Sequence, residues 1–229
     1  MGLLERLARP YAAGVSHAAP PLTPDLYVIL DRTAAGGRDL DAILDGAIAG
    51  GCRMVQLREK EWPSGRLLPL AERLRARCRV ARVAFIVNDR IDLALVVDAD
   101  GVHLGQDDLP PRAARPLLRP GMVLGVSTHS AEQARAAQAE GVDYVAVGSI
   151  FPTATKSGFE LVGTELVQRL RAEIRVPLIG IGGITPANAG MVIRAGADGV
   201  AVISAVCAAP DPEAASRRLL DAIRAARAS

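Results

Sequence analysis

From Leu26 onward, short apolar runs rich in β-branched residues alternate with longer Ala-, Leu- and Arg-rich segments whose apolar positions recur at helical spacing. The runs predict strands over Leu26–Leu30, Met54–Leu57, Ala84–Val87, Gly101–Leu104, Val123–Val126, Tyr144–Val147, Leu178–Ile181 and Val200–Ile203. The longer segments predict helices over Asp39–Ala49, Arg66–Arg79, Arg90–Val96, Arg112–Leu118, Ala131–Glu140, Thr164–Glu173, Pro186–Ala195 and Glu213–Ala226. Ser130 before Ala131, and Thr185 before Pro186, offer hydroxyls as N-caps, with proline suited to the first helical position. Gly50-Gly51, Gly141 and Gly196 fall where helices need a left-handed end.

Eight strand–helix units with no composition break predict an α/β fold: a single (β/α)8 TIM barrel over residues 25–229, with a short N-terminal extension over residues 1–24. An open doubly wound sheet is less economical, because eight near-equal units leave no switch point or edge strand. The barrel has a consequence for function, since the residues just after each strand converge on one mouth.

Composition narrows the class. Lys plus Arg number 27 against 25 Asp plus Glu, so the formal charge is 27 − 25 = +2, short of the basic excess of nucleic-acid proteins. Half the residues are hydrophobic and only 3% aromatic, enough for a large aliphatic core and too little for base-stacking platforms. Cys52, Cys78 and Cys207 form no C-x-x-C spacing and are odd in number, which fits a reducing, cytoplasmic compartment. Charged residues interrupt every apolar run, so no membrane span is expected. Met1–Pro24 has Arg6 and Arg9 but no long apolar stretch ahead of Pro20, Pro21 and Pro24. It is expected to be an extension or short helix outside the catalytic unit.

Polar residues gather where the strands end: Gln56, Arg58 and Lys60; Asn88, Asp89 and Arg90; Gly105 to Asp108; Ser127, Thr128 and His129. The later strands add the loop Ser149–Gly163 with Thr153, Thr155 and Lys156, then Gly182-Gly183, then Ser204. This loop is long for a βα connection, and a mobile lid is expected there. Asp89 and Asp108 are 108 − 89 = 19 residues apart, at the ends of adjacent strands, where a barrel would bring them together. One or two carboxylates, completed by water and substrate phosphate, are what magnesium prefers. As an alternative, the same two residues cap helices or pair with Arg90 and Arg112.

Arg58, Lys60 and Lys156 bring cations to the mouth, and Ser127 and the threonines bring hydroxyls, a mixture suited to a diphosphate. A single lysine such as Lys60 is also accounted for as a solvated surface residue. Gly182-Gly183, with Ile203 and Ser204 after the eighth strand, occupy the place where many barrels bind phosphate through backbone N–H groups; the glycines alternatively serve close turn packing. No acid–base pair stands out. His129 is the candidate histidine of the mouth, and His103, inside the fourth strand, is expected to be a packed, hydrogen-bonded core residue. Phosphate pockets, a metal site and little acid–base equipment suit a transfer reaction with diphosphate as leaving group.

The residues that carry this chemistry also carry a resemblance. Gln56-Leu57-Arg58-Glu59-Lys60, Asn88-Asp89-Arg90 with Asp92, and His103 through Pro110 are followed by Gly125 through Ser130, Pro152 through Lys156, and Gly180 through Ile184. In this order, over about Leu26 to Ala208, the chain resembles the thiamine-phosphate synthase family. The resemblance implies that Gln56, Arg58, Lys60 and Asn88 hold an aminopyrimidine diphosphate, with Mg2+ on Asp89 and Asp108 and the diphosphate on Ser127 and Lys156. Arg58, Ser127 and Lys156 would be the catalytic group. Thr153, Thr155, Gly183, Ile203 and Ser204 would bind a thiazole phosphate.

The implied chemistry is dissociative: diphosphate departs, a pyrimidine methylene cation forms, and the thiazole nitrogen captures it, with carbon dioxide lost if the acceptor is carboxylated. The partners implied are these two small molecules, with neither nucleic acid nor membrane, and a homo-oligomer is compatible. Ile29-Leu30-Asp31-Arg32 departs from the family pattern, which often has Thr before the Asp, and Met1–Pro24 has no matched counterpart. Three other readings stay open: a related barrel that isomerises the thiazole phosphate, an unrelated sugar-phosphate isomerase, and a catalytically silent ligand-binding barrel.

Overall fold

In a computed structural model of the chain, residues 25–153 and 160–228 are described. Eight parallel strands close into a barrel in sequence order, each hydrogen-bonded to its neighbours and the last to the first. They are β1 (Leu26–Asp31), β2 (Met54–Arg58), β3 (Ala84–Asn88), β4 (Gly101–Leu104), β5 (Val123–Thr128), β6 (Tyr144–Val147), β7 (Leu178–Ile181) and β8 (Gly199–Val202). The helices are α1 (Arg32–Ala35), α2 (Leu40–Ala49), α3 (Ser64–Ala81), α4 (Ile91–Val96), α5 (Pro111–Ala114), α6 (Ala131–Ala139), α7 (Gly163–Arg171), α8 (Ala189–Arg194), α9 (Ser204–Cys207) and α10 (Pro212–Arg227).

Strand periodicity divides the core in two. Alternate residues such as Val28, Leu30, Val55, Leu57, Phe85 and Val87 pack outward under the helices. Tyr27, Ile29, Met54, Ile86, Tyr144, Ile179 and Ala201 fill the barrel interior. Both faces of each strand are therefore buried, which is why the strands appear in sequence as continuous apolar runs rather than as polar–apolar alternation. Gly125 is a steric requirement of the interior: a Cβ there would lie 1.9 Å from the Tyr144 ring. Tyr144 crosses the space that the missing side chain leaves.

The predicted strands correspond to the observed ones within a residue or two at their ends. β8 stops at Val202, because Ile203, at φ −113° and ψ −85°, turns the chain into α9. The predicted helix over Arg112–Leu118 divides into α5 and a 3-10 turn, Arg115–Leu117, around Pro116, which has no N–H to continue an α-helix. Ser130 caps α6 as expected, accepting from the Gln133 N–H at 3.2 Å. Thr185 does not cap α8. Asn188 Oδ1 instead accepts the Thr185 N–H at 2.7 Å, which holds a turn ahead of a helix that starts at Ala189. Gly51, Gly141 and Gly196 take positive φ, whereas Gly50 stays right-handed.

No helix among the described residues is long and apolar enough to cross a membrane. The three cysteines are free and buried.

Candidate active site

The same alternation that turns Tyr27, Met54 and Ile86 inward turns Asp31, Gln56, Arg58, Asn88 and Ser127 inward as well, in most cases nearer the C-terminal ends of their strands. Polar side chains thus cover the apolar interior on the mouth side, where the loops after the strands add theirs.

The first half of the mouth is charged. Asp31 and Arg58 are register partners across β1 and β2, and Arg58 Nη1 donates to Asp31 Oδ2. The other Asp31 oxygen accepts the Ala34 N–H at 2.9 Å and so caps α1. Lys60, beyond β2, sets its Nζ 3.2 Å from Asp89 Oδ2, so it is an exposed lysine with a specific partner. Asp31, Arg58, Lys60 and Ser204 line a cavity of about 460 Å³.

Asp89 follows β3 at φ 59°, a left-handed conformation that aspartate tolerates better than most residues. Burial, and then the neighbouring Asp108 carboxylate, push the Asp89 carboxyl above its ordinary range, while Lys60 opposes the shift. Asp108 Oδ2 accepts the Gly105 N–H at 2.7 Å. The alternative pairings do not form: Arg90 binds Asp92 at 2.5 Å, and Arg112 binds Glu140 at 3.0 Å. Among the described residues no group of three or more His, Cys, Asp or Glu could hold a metal ion. The donor set is two carboxylates pressed together on the mouth, which suits a hard divalent cation that takes its other oxygens from water and substrate.

The second half is a cavity of about 340 Å³ lined by Ser127, Ser149, Thr153, Gly183, Ile203 and Ser204, among others. Gly182 and Gly183 take φ 103° and 63°, and the loop after β6 lies against them, with the Phe151 N–H on Gly182 O at 3.0 Å. Ser204 also borders the charged half, so the two cavities share a wall. His129 Nδ1 bonds the Gly148 carbonyl, and Thr128 Oγ1 donates to the Ala146 carbonyl at 3.2 Å.

Gln56 lies deeper, 1% exposed, its amide Nε2 donating to Tyr27 Oη at 2.6 Å. His103 is buried and hydrogen-bonded, as expected. Thr155, Lys156 and the central part of the expected lid lie outside the described residues, as does the N-terminal extension. Asp31, Tyr27 and Tyr144 are site-supporting residues that sequence reasoning missed. For Asp31 the signal was present, an acidic residue ending a strand at an inward position, but its partner lies 27 residues away.

The fold and site define a (β/α)8-barrel enzyme with a cationic, carboxylate-bearing half joined to a glycine-lined cavity in one mouth. Residues 26–206 match the thiamine monophosphate synthase family. A thiamine-phosphate synthase from Moorella thermoacetica is 49% identical over 204 residues, covering 89% of this chain and 97% of its own. Another from Roseiflexus castenholzii is 50% identical over 198 residues, 86% of each chain. A solved thiamine phosphate pyrophosphorylase from Pyrococcus furiosus superposes with a TM-score of 0.81 at 35% identity, covering 89% of this chain and 97% of that one. The chain belongs to the thiamine monophosphate synthase family and is a transferase of thiamine biosynthesis.

Proposed function

We propose that the protein joins 4-amino-2-methyl-5-(diphosphomethyl)pyrimidine to a thiazole phosphate or its carboxylated form, yielding thiamin monophosphate and diphosphate, with carbon dioxide from the carboxylated acceptor. The observation that carries this reading is the shared mouth: a half with Arg58, Lys60 and two carboxylates abuts a cavity bounded by Gly183, Thr153 and Ser204. A diphosphate and a monophosphate substrate would meet there.

In the first step the methylene C–O bond breaks and its electron pair leaves with the diphosphate. Arg58, Lys60, Lys156 and Ser127 stabilise the charge that accumulates on the departing oxygens. Asp31 holds Arg58 in place for this before substrate arrives. The pyrimidine amino group feeds electrons to the methylene cation, with Gln56 and Asn88 holding the ring. The thiazole nitrogen lone pair then forms the C–N bond, its phosphate held by Thr153, Thr155, Gly183, Ile203 and Ser204. Asp89 and Asp108 would hold Mg2+, which when bound supplies further charge neutralisation to the diphosphate. No protein nucleophile takes part. Burial pushes the Cys52 and Cys207 thiols up to about 11, consistent with packing rather than reactive roles.

Incubation with both phosphorylated halves and magnesium, omitting each in turn, tests the reading. Thiamin monophosphate should appear only in the complete mixture. Conversion of the thiazole phosphate alone into an isomer would assign the chain to the isomerase reading instead.

A further inference from the structure

We propose that Gln56, Tyr27, Tyr144 and His103 form a one-way hydrogen-bond relay through the barrel interior that holds Ser127 as a hydrogen-bond donor to the mouth. The inference rests on the reading of Ser127 as a contact of the departing diphosphate. It adds three positioning residues, Tyr27, Tyr144 and His103, that do not themselves need to touch the reacting atoms, and it gives Gln56, which holds the ring in the proposed function, a second role at the head of the chain.

The contacts are continuous. Gln56 Nε2 donates to Tyr27 Oη at 2.6 Å; Tyr27 Oη and Tyr144 Oη are 2.9 Å apart. Tyr144 Oη lies 2.9 Å from His103 Nδ1, and His103 Nε2 lies 2.8 Å from Ser127 Oγ. Every member is buried. The rings are held independently of these bonds, Tyr27 edge-on to Tyr144 at 5.9 Å and His103 stacked on Tyr144 at 5.5 Å. Gln106 Nε2 donates to the Ser127 carbonyl at 2.7 Å and anchors the far end.

Proton counting sets the direction. An amide nitrogen only donates, so Tyr27 Oη accepts from Gln56 and its own proton goes to Tyr144 Oη. Two hydroxyls cannot each spend their proton on the other, so the Tyr144 proton goes to His103 Nδ1. The imidazole then carries its hydrogen on Nε2 and donates it to Ser127 Oγ. The Ser127 proton is not spent on His103, and it can be offered to an anionic acceptor in the mouth. An imidazolium would donate from Nδ1 to Tyr144 Oη and leave the Tyr144 proton no acceptor within the chain, since Tyr27 already donates to it. Burial also raises both phenols well above their ordinary range, which keeps them neutral links. A donor oriented in advance does not have to reorganise as the leaving charge develops.

The test uses the full-length protein labelled with nitrogen-15. At neutral pH the His103 ring should be neutral with its hydrogen on Nε2. Tyr144→Phe cuts the relay while keeping the ring, and should lower kcat about tenfold, the scale of one well-placed hydrogen bond, with KM for both substrates within about twofold. Tyr27→Phe interrupts the relay one step earlier and serves if Tyr144→Phe does not fold. In a double-mutant cycle, adding Tyr144→Phe to Ser127→Ala should cost no further activity. A ring hydrogen on Nδ1, an imidazolium, or additive losses in the cycle would overturn the relay even where Ser127→Ala is impaired. A Ser127→Ala enzyme with wild-type kcat would instead overturn the reading of Ser127 on which the relay rests, whatever tautomer is found.

Discussion

One carboxylate of Asp31 performs two tasks at once: Oδ2 accepts from Arg58 across the first strand pair, and Oδ1 caps the helix that follows at Ala34, 2.9 Å away. The side chains of Asp31 and Arg58 are 5% and 18% exposed, so the pair is set largely outside bulk water. Arg58 is thereby placed before any substrate binds.

Asp31→Asn should keep the helix cap through its amide oxygen and lose the charge that orients Arg58. Activity should fall by roughly 10- to 100-fold, the scale of a misplaced positioning group. Asp31→Ala should in addition lose the helix cap and destabilise the fold by about 1 kcal/mol relative to Asp31→Asn, the scale of a lost N-cap. Steady-state kinetics and denaturant titration of the two variants separate these effects.

Asp89 and Asp108 face each other as like charges, and Asp89 titrates above its ordinary value through burial and that neighbour. The folded protein therefore favours protonated Asp89. Its contribution to stability is present below the unfolded-state value and is lost as pH rises through the folded-state value. Magnesium should offset this loss at neutral pH, by about 2.7 kcal/mol when its concentration is a hundred times its Kd. Thermal melts with and without magnesium should show that gain in the wild type and a much smaller one in Asp89→Asn and Asp108→Asn. Unchanged magnesium shifts in both variants would remove the metal assignment.

A Cβ at Gly183 would lie 2.4 Å from the Pro152 carbonyl oxygen and 2.8 Å from Phe151 Cβ, at a φ of 63° that side chains rarely adopt. From sequence the glycine suggests close approach of a phosphate; in the structure the loop after β6 approaches it too. Gly183→Ala should therefore displace that loop, lowering kcat as well as raising KM for the thiazole phosphate. A change confined to KM for the pyrimidine diphosphate would contradict this placement.

The barrel was legible because all eight strands are apolar on both faces and each is followed by a segment of helical period. The four-residue helices α1 and α9 were not, since a single turn has too few residues to show a period. The meeting of Asp89 with Asp108 followed from strand order alone. The Asp31–Arg58 pair and the Tyr27–Tyr144–His103 chain did not, because they depend on the register between strands and on the space beside Gly125, neither of which a linear pattern displays. Thr185 had the chemistry of a cap, but the helix starts at Ala189, too far on for its side chain, and the Thr185 N–H is held by Asn188 in the turn between.

Lys156 is assigned from sequence and resemblance. If its charge acts on the leaving diphosphate, Lys156→Ala should lower kcat by about 10²–10³, the range for losing one preorganised electrostatic donor. Rapid-quench measurement of the chemical step would show whether the loss falls there.

In the function proposed above, departure of diphosphate and formation of the new C–N bond are one reaction in one mouth. Single-turnover mixing of excess enzyme with both substrates and magnesium, with every phosphorus product counted, tests it directly. One diphosphate should appear for each thiamin monophosphate and no inorganic phosphate, with both products slowed together in Arg58→Ala. Diphosphate released without an equal amount of thiamin monophosphate, or inorganic phosphate in its place, would contradict it.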